Sequence, residues 1–505
     1  MKKISAIIVF IVIFNFILTL FISCGEDKNT STGDNPANNN ANDTKTVISD
    51  TETPESRAFM GYEFPDVDYG GYEFKIIYPD LFGIDGSTSW AFTPLTSEGE
   101  TGEVVNDAVF RRNVLIEDTL GITLTEIGVA RDGVAPRVTR SVASGTNEFD
   151  MAFSIDGNTS SMLMQGALLE LKSMNELSLG SPWWDQRSQQ TFTIAGQLYS
   201  VSSPSHLAYF AQMWCVYFNK KLIADLALES PHDLVAQNRW NYDTVYELSR
   251  AAIMDLNGDG IFDLDDRWGI RTQGNAARAH IMAINEPTVY INSEGVPEMK
   301  KPTERTVEGI EKIKRLYSLN DGMMLMNRTG QKNLDLQDQT YSEFSNAKVL
   351  FLMETLGRIH LFRDMENDFG FVPMPKFDEK QESYYTWPGI STPLLVIPKT
   401  AEDPTRSATV ANALTAVSTD TSIPAYYDIA VTRKALRDEE SLISLDLMRE
   451  GYACCLATTY GWNMLLNEYA DNINTYSGVS PWTLFEKRES AMENAINKTL
   501  DELRK

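Results

Sequence analysis

Asp255, Asn257 and Asp259 alternate in the run DLNGDGIFDLDD (residues 255–266), and side-chain oxygens at that spacing are what a hard divalent cation such as calcium coordinates. Gly260 takes the sharp-turn place, Ile261 offers its backbone carbonyl, and Asp263 and Asp266 fall at the ninth and twelfth positions of a calcium loop. Aspartate at the twelfth position reaches less far than glutamate, so weaker binding than in a cytosolic sensor is expected. The plainer alternative is an acidic turn, since Asp, Asn and Gly are also the commonest turn residues. In either case the loop does a structural job. Asn241 can cap a helix with Val245, Leu248 and Ala252 on one face, Trp268 to Arg271 reads as a strand, and the loop clips one to the other.

Catalytic patterns are missing. The four histidines, His206, His232, His280 and His360, lie far apart with no HExxH spacing, and the chain has no GxxxxGK[ST], GxGxxG or GxSxG run. A zinc hydrolase, a nucleotide-phosphate enzyme and a serine hydrolase therefore lack local support. Glycoside hydrolysis needs only two carboxylates at the right separation, and 70 acids offer many pairs whose separation the sequence does not show.

The elements that must position these residues follow a two-part leader. Met1-Lys2-Lys3, an apolar run from Ala6 to Ile22 and Ser23-Cys24 read as a lipoprotein signal (residues 1–23), with Cys24 the lipidated residue. Residues 24–69 are polar, poor in aromatics and without periodicity, which predicts a disordered tether. Loss of Lys2 and Lys3 with the signal takes the net charge from −26 to −28. So acidic a surface repels phosphates, and nucleic acid is excluded as a partner. Without Cys24 the chain keeps Cys215, Cys454 and Cys455, an odd set that implies buried thiols and no disulfide framework.

About 435 residues remain, enough for two or more cores. The order strand (Glu73 to Tyr78), helix (Val104 to Leu120), strand (Ile122 to Ile127), helical stretch, strand (Phe149 to Ser154) predicts a parallel α/β sheet. Ligands of such sheets sit beyond the carboxyl ends of strands, which makes Asp156 and Asn158 candidate ligand contacts, with helix capping as the alternative for Asn158. A helix ending near Leu171 is expected after them, then core packing for Trp183-Trp184, a strand over Gln197 to Pro204 and a buried strand over Met213 to Phe218.

Trp240-Asn241-Tyr242-Asp243, the helix after it, DLNGDGIFDLDD and Trp268-Gly269 together resemble the corresponding segment of bacterial extracellular solute-binding proteins of the carbohydrate-type family 1, which serve ABC importers. The likeness recurs in Tyr217-Phe218-Asn219-Lys220, in Phe344 to Met353 and in Asp368 to Pro375. It implies a two-lobed periplasmic-binding-protein-like α/β fold of the class II type. The chain would cross between lobes near residues 206, 391 and 433, giving lobe 1 as 70–206 and 391–433 and lobe 2 as 207–390 and 434–505. Residues bordering those crossings face a cleft, so Tyr209 and Gln212 are candidates, as are Glu354 and Arg358 after the strand ending at Met353. Tyr384-Tyr385-Thr386-Trp387 makes Tyr385 and Trp387 the best aromatic platform, with plain core as the alternative, and Trp462 is placed to return to the cleft.

The resulting expectation is a non-enzymatic monomer, lipid-anchored on the extracytoplasmic face of the cell membrane, stabilised by calcium, that captures a carbohydrate or oligosaccharide for the permease of an ABC importer. A secreted carbohydrate-active enzyme is the runner-up, and an adhesive or sensor-coupled surface protein is the third class.

Overall fold

The computed structural model describes residues 60–79, 95, 97–260, 265–318, 323–325, 334–362, 364–427 and 440–505, with only the backbone for 323–325 and 334–339. Cys24, Ile261, Asp263 and the third crossing near residue 433 lie outside the described residues.

Twelve strands fall into two five-stranded sheets and one hairpin among the described residues. The first sheet holds β1 (Tyr72–Pro79), β2 (Ile122–Val129), β3 (Met151–Ile155) and β4 (Val201–Ser202). The second holds β5 (Trp214–Asn219) and β6 (Trp268–Thr272), and the hairpin is β7 (Val289–Ile291) with β8 (Pro297–Met299). The second sheet continues with β9 (Met323–Leu325), β10 (Val349–Thr355) and β11 (Phe369–Pro373), and β12 (Pro393–Val396) returns to the first. Strand orders are β2-β1-β3-β12-β4 and β11-β5-β10-β6-β9.

Read from opposite ends, the two orders are one topology. In the first sheet β1 pairs in parallel with β2 and β3, and β12 runs antiparallel to β3 and β4. In the second, β6 pairs in parallel with β9 and β10, and β5 runs antiparallel to β10 and β11. The intruding strand is in each case the first one formed after the chain arrives from the other sheet. Its register sets Pro393 opposite Ile155 and Trp214 opposite Thr355, so each arriving segment meets the carboxyl end of a central strand.

The central strands read as mostly apolar runs, with no alternation of apolar and polar, because both faces are covered. All residues of β3 (MAFSI), β5 (WCVYFN) and β10 (VLFLMET) are buried. Helices are cut to length by local chemistry. Val104–Leu120 starts where the Glu103 carboxylate accepts the Asn106 N–H and stops at Gly121, whose φ of 64° suits glycine and whose missing Cβ leaves room for Asp68. Asn241 caps Tyr242–Ala252 through the N–H groups of Asp243 and Thr244, as its place in the sequence predicts. Arg112, fully buried, donates to the carbonyls of Ser205 and Leu95 and to Ser418 Oγ, which ties that first long helix to the chain leaving β4 and to the helix Pro404–Ser418.

Two sequence expectations change. The strand over Gln197 to Pro204 shrinks to two residues, because only Val201 and Ser202 find partners in the sheet, Leu395 and Leu394 of β12, while Gln197 turns back on Ile194. The helix expected to end near Leu171 is Asp156–Leu163, closed by a turn in which Gly166 takes φ 61°. Among the described residues no helix is long and apolar enough to cross a membrane.

Candidate functional site

Between the two sheets lies a cavity of 540 Å³. One wall is the helix Gln186–Phe192 beside β4, which contributes Arg187, Gln190 and Thr191. Facing it are Asn285, just after the helix Ala276–Ala283, Tyr290, in β7 of the hairpin, and Tyr385, on the chain leading into β12. The segment from Glu450 to Leu456 closes a third side. A second space of 440 Å³, walled by Asp185, Tyr209, Phe210 and Asp446 among others, shares Arg187 and Glu450 with the first, and the two read as one groove.

The walls mix aromatic faces with hydrogen-bonding side chains. Tyr290 is 40% exposed, and the half-buried Tyr385 takes an N–H from Asn285 at 3.4 Å through its hydroxyl. Arg187 is exposed and donates to the Arg449 carbonyl at 3.3 Å. Between the two spaces Tyr209 stacks on Tyr452 at 4.2 Å and 14°, and its hydroxyl donates to Asp185 Oδ2 at 2.5 Å. Asp185 uses its other oxygen to cap the helix that carries Arg187, accepting from Ser188 N–H at 2.7 Å. Burial, reinforced by Asp185, pushes the Tyr209 hydroxyl well above its ordinary value, so this stack is neutral. Stacking surface with a few fixed polar groups is what a saccharide-sized, polyhydroxylated ligand needs.

Of the residues singled out in the sequence, the structure brings Tyr209 and Tyr385 to the groove. Glu354 forms a buried cluster at the end of β10, where both its oxygens accept from Gln273 Nε2 at 2.9 and 2.7 Å and one accepts from Tyr341 at 3.3 Å. Arg358, 3% exposed, lies over the Tyr341 ring with its guanidinium 5.7 Å from the centroid. Gln212 and Trp387 are 3% and 1% exposed beside Trp214, whose N–H donates to the Trp387 carbonyl at 3.1 Å. Asp156 is buried against Thr458 and Thr459. Asn158 donates to Asp132 at 3.0 Å, and Trp462 stacks on Tyr460 at 5.0 Å with its indole N–H on Thr499. Trp183 and Trp184 are core, both donating to Asn412 Oδ1. Cys215 and Cys455 are buried and Cys454 is partly buried in the groove wall.

Arg187, Asn285, Tyr290, Glu450 and Tyr452 line the groove without having stood out in the sequence. They come from three separate segments, and nothing in their spacing announces that tertiary packing will gather them.

The acidic loop lies apart from the groove. Met254 and Arg267 exchange backbone hydrogen bonds at 3.1 and 2.9 Å, which ties its ends together and hangs it between Tyr242–Ala252 and β6. Asp255 accepts the N–H groups of Gly258 and Gly260 at 2.6 and 2.8 Å, Asn257 accepts from Asp259 at 2.9 Å, and the fully buried Asp266 accepts from Leu256 at 2.9 Å. Gly260 has φ 77°, the left-handed turn its position requires. Among the described residues no group of three or more His, Cys, Asp or Glu is disposed to hold a metal ion.

No family model and no curated protein sequence matches this chain. Its fold does match solved structures. A cyclo/maltodextrin-binding protein complexed with maltotetraose aligns at TM-score 0.55 and 11% identity, over 86% of this chain and 99% of that one. An ABC substrate-binding protein from Listeria monocytogenes in complex with cycloalternan aligns at 0.52 and 13% identity, over 85% and 99%. The GacH receptor of Streptomyces glaucescens, solved unliganded and with acarbose, aligns at 0.52 and 11% identity, over 84% and 99%.

Trp387, 1% exposed, separates packing from recognition. Trp387→Ala is expected to cost about 3–5 kcal/mol of stability in a denaturant melt. A near-normal melt would contradict the packing seen here. Taken with the two sheets of shared topology, the alignments establish that this chain has the two-lobed fold of the periplasmic solute-binding proteins.

Proposed function

We propose that this chain is an extracytoplasmic solute-binding protein that captures an intact carbohydrate for an ABC importer and performs no chemistry on it. The observation that carries the reading is the groove itself: aromatic and hydrogen-bonding side chains gathered from the helix beside β4, the β7–β8 hairpin and the chain leading into β12, in a fold whose solved relatives include proteins crystallised with maltotetraose, cycloalternan and acarbose. In this reading lobe 1 is 70–206 with 391–433 and lobe 2 is 207–390 with 434–505, and hinge motion at the crossings closes them over the solute. Tyr385 and Tyr290 supply stacking faces, while Asn285, Gln190 and Arg187 meet hydroxyl groups. The protein works as a monomer and hands its solute to permease subunits.

Titration calorimetry against maltotetraose and a panel of other oligosaccharides tests this. A saturable, one-to-one signal with unaltered ligand recovered afterwards is expected, and Tyr385→Ala is expected to weaken it by about 1–2 kcal/mol, roughly five- to thirtyfold, without changing the melt. No binding across the panel, or recovery of cleaved ligand, contradicts the reading.

Cys24 is proposed as the lipid anchor on the strength of the residues before it. Cys24→Ser is expected to release the protein from membranes, and unchanged fractionation and migration would remove that part of the proposal.

Calcium held by Asp255, Asn257, Asp259, Ile261, Asp263 and Asp266 is the remaining part, supported by the alternating oxygens and the left-handed Gly260. At extracellular calcium levels an affinity of ~10⁻⁴ M keeps such a loop filled. Chelation is expected to lower the melting temperature and Asp259→Ala to remove that response. Identical melts with and without chelator, in protein containing no metal, would argue for the plain acidic turn.

A further inference from the structure

The chain from Gly451 to Trp462 leaves the second sheet's surroundings, touches the first sheet's and returns. The helix Glu440–Glu450 before it packs on β11, and Met464–Asn474 after it packs on Ala276–Ala283 and Glu304–Leu316. Between them, Thr386 N–H donates to the Gly451 carbonyl at 2.8 Å and Ala453 N–H to the Thr386 carbonyl at 2.9 Å, so this strap pairs with the segment leading into β12. Only glycine permits that approach, because a Cβ at 451 would run into the Tyr384 carbonyl. Its far end is the short helix Leu456–Thr459, which packs on Asp156–Leu163. There the hydroxyls of Thr458 and Thr459 donate one to each oxygen of the Asp156 carboxyl. Asp156 is the first residue after β3 and is 5% exposed.

We infer that Asp156 with Thr458 and Thr459 forms a proton-sensitive clasp between the strap and the helix that follows β3, which holds the lobes together while the carboxyl is neutral and weakens when it ionises. It deepens the solute-binding reading, on which its biological meaning rests, by naming what sets the balance between open and closed forms.

The physical ground is desolvation. Burial raises the Asp156 carboxyl to about 7, and the two threonine hydroxyls only partly oppose this; in the neutral form one of the two bonds reverses, the carboxyl O–H donating to a threonine whose own hydroxyl donates to the Cys455 carbonyl. Once the strap lifts, water reaches the group and it returns to an ordinary carboxylate value of about 4. The clasped form therefore binds the proton more tightly, so its stability is full below about pH 4, falls as pH rises to about 7 and is constant above. Other titratable groups facing Asp156, among the described residues, are Tyr452, Cys454 and Cys455 of the strap. Burial pushes all three up, Cys455 to about 11, so they stay neutral across this window. Asp132 is bonded to Asn158 and Asp185 to Tyr209.

Hydrogen exchange on the full chain without ligand, corrected for the intrinsic pH dependence of exchange, reads the clasp through the amides of residues 456–462. Protection is expected to fall on the order of thirtyfold between pH 5.5 and pH 8. Asp156→Asn, which cannot ionise, is expected to keep the low-pH protection at both values, and the double variant Thr458→Val with Thr459→Val to lose protection at both. A pH response in Asp156→Asn equal to the wild type, or wild-type protection in the double variant, overturns the clasp. No saccharide enters the measurement, so failure of ligand binding and failure of the clasp are read separately.

Discussion

Everything about this molecule's working surface depends on one kind of strand pairing. Each sheet admits, beside its central parallel strand, a single antiparallel strand that has just arrived from the other sheet: β12 against β3 and β5 against β10. Antiparallel pairing turns the start of the arriving strand toward the end of its neighbour. The chain ahead of β12 is thereby held at Asp156, whose N–H donates to the Thr392 carbonyl, and the chain ahead of β5, with Gln212, near Glu354. Of these arriving segments, Tyr385 and Tyr209 reach the groove.

That constraint also divides labour among the aromatic and polar residues. Those deepest at the crossings, Trp387, Gln212, Glu354 and Arg358, are buried, and Glu354 spends its hydrogen-bonding capacity on Gln273 and Tyr341. Residues one layer out, Tyr385, Tyr290, Asn285 and Arg187, keep a face toward the groove. In the proposed solute-binding role, the buried inner layer sets the axis of lobe motion and the outer layer meets the solute. The strap joins both layers, since it pairs with the second crossing segment and ends on Asp156.

Local physics made much of this legible in the sequence. The helix Val104–Leu120 is bounded by Glu103 and Gly121, and the mostly apolar runs of β3, β5 and β10 announce strands covered on both faces. Tyr385 and Tyr209 reach the groove because they border crossings, a topological argument that needs no coordinates. What was not legible depends on long-range packing. Val201–Ser202 has strand length only because β12 offers two partners, and Asp156, which reads as an open ligand rim, is covered by threonines some 300 positions later. Arg187, Asn285 and Tyr290 are ordinary surface residues until the fold sets them face to face.

A crystal structure of the complex with the tightest-binding oligosaccharide tests the account most directly. The account predicts one intact saccharide between Tyr385, Asn285 and Arg187, in contact with elements of both sheets. A saccharide on the outer face of a single sheet, or one cleaved in the groove, would contradict it.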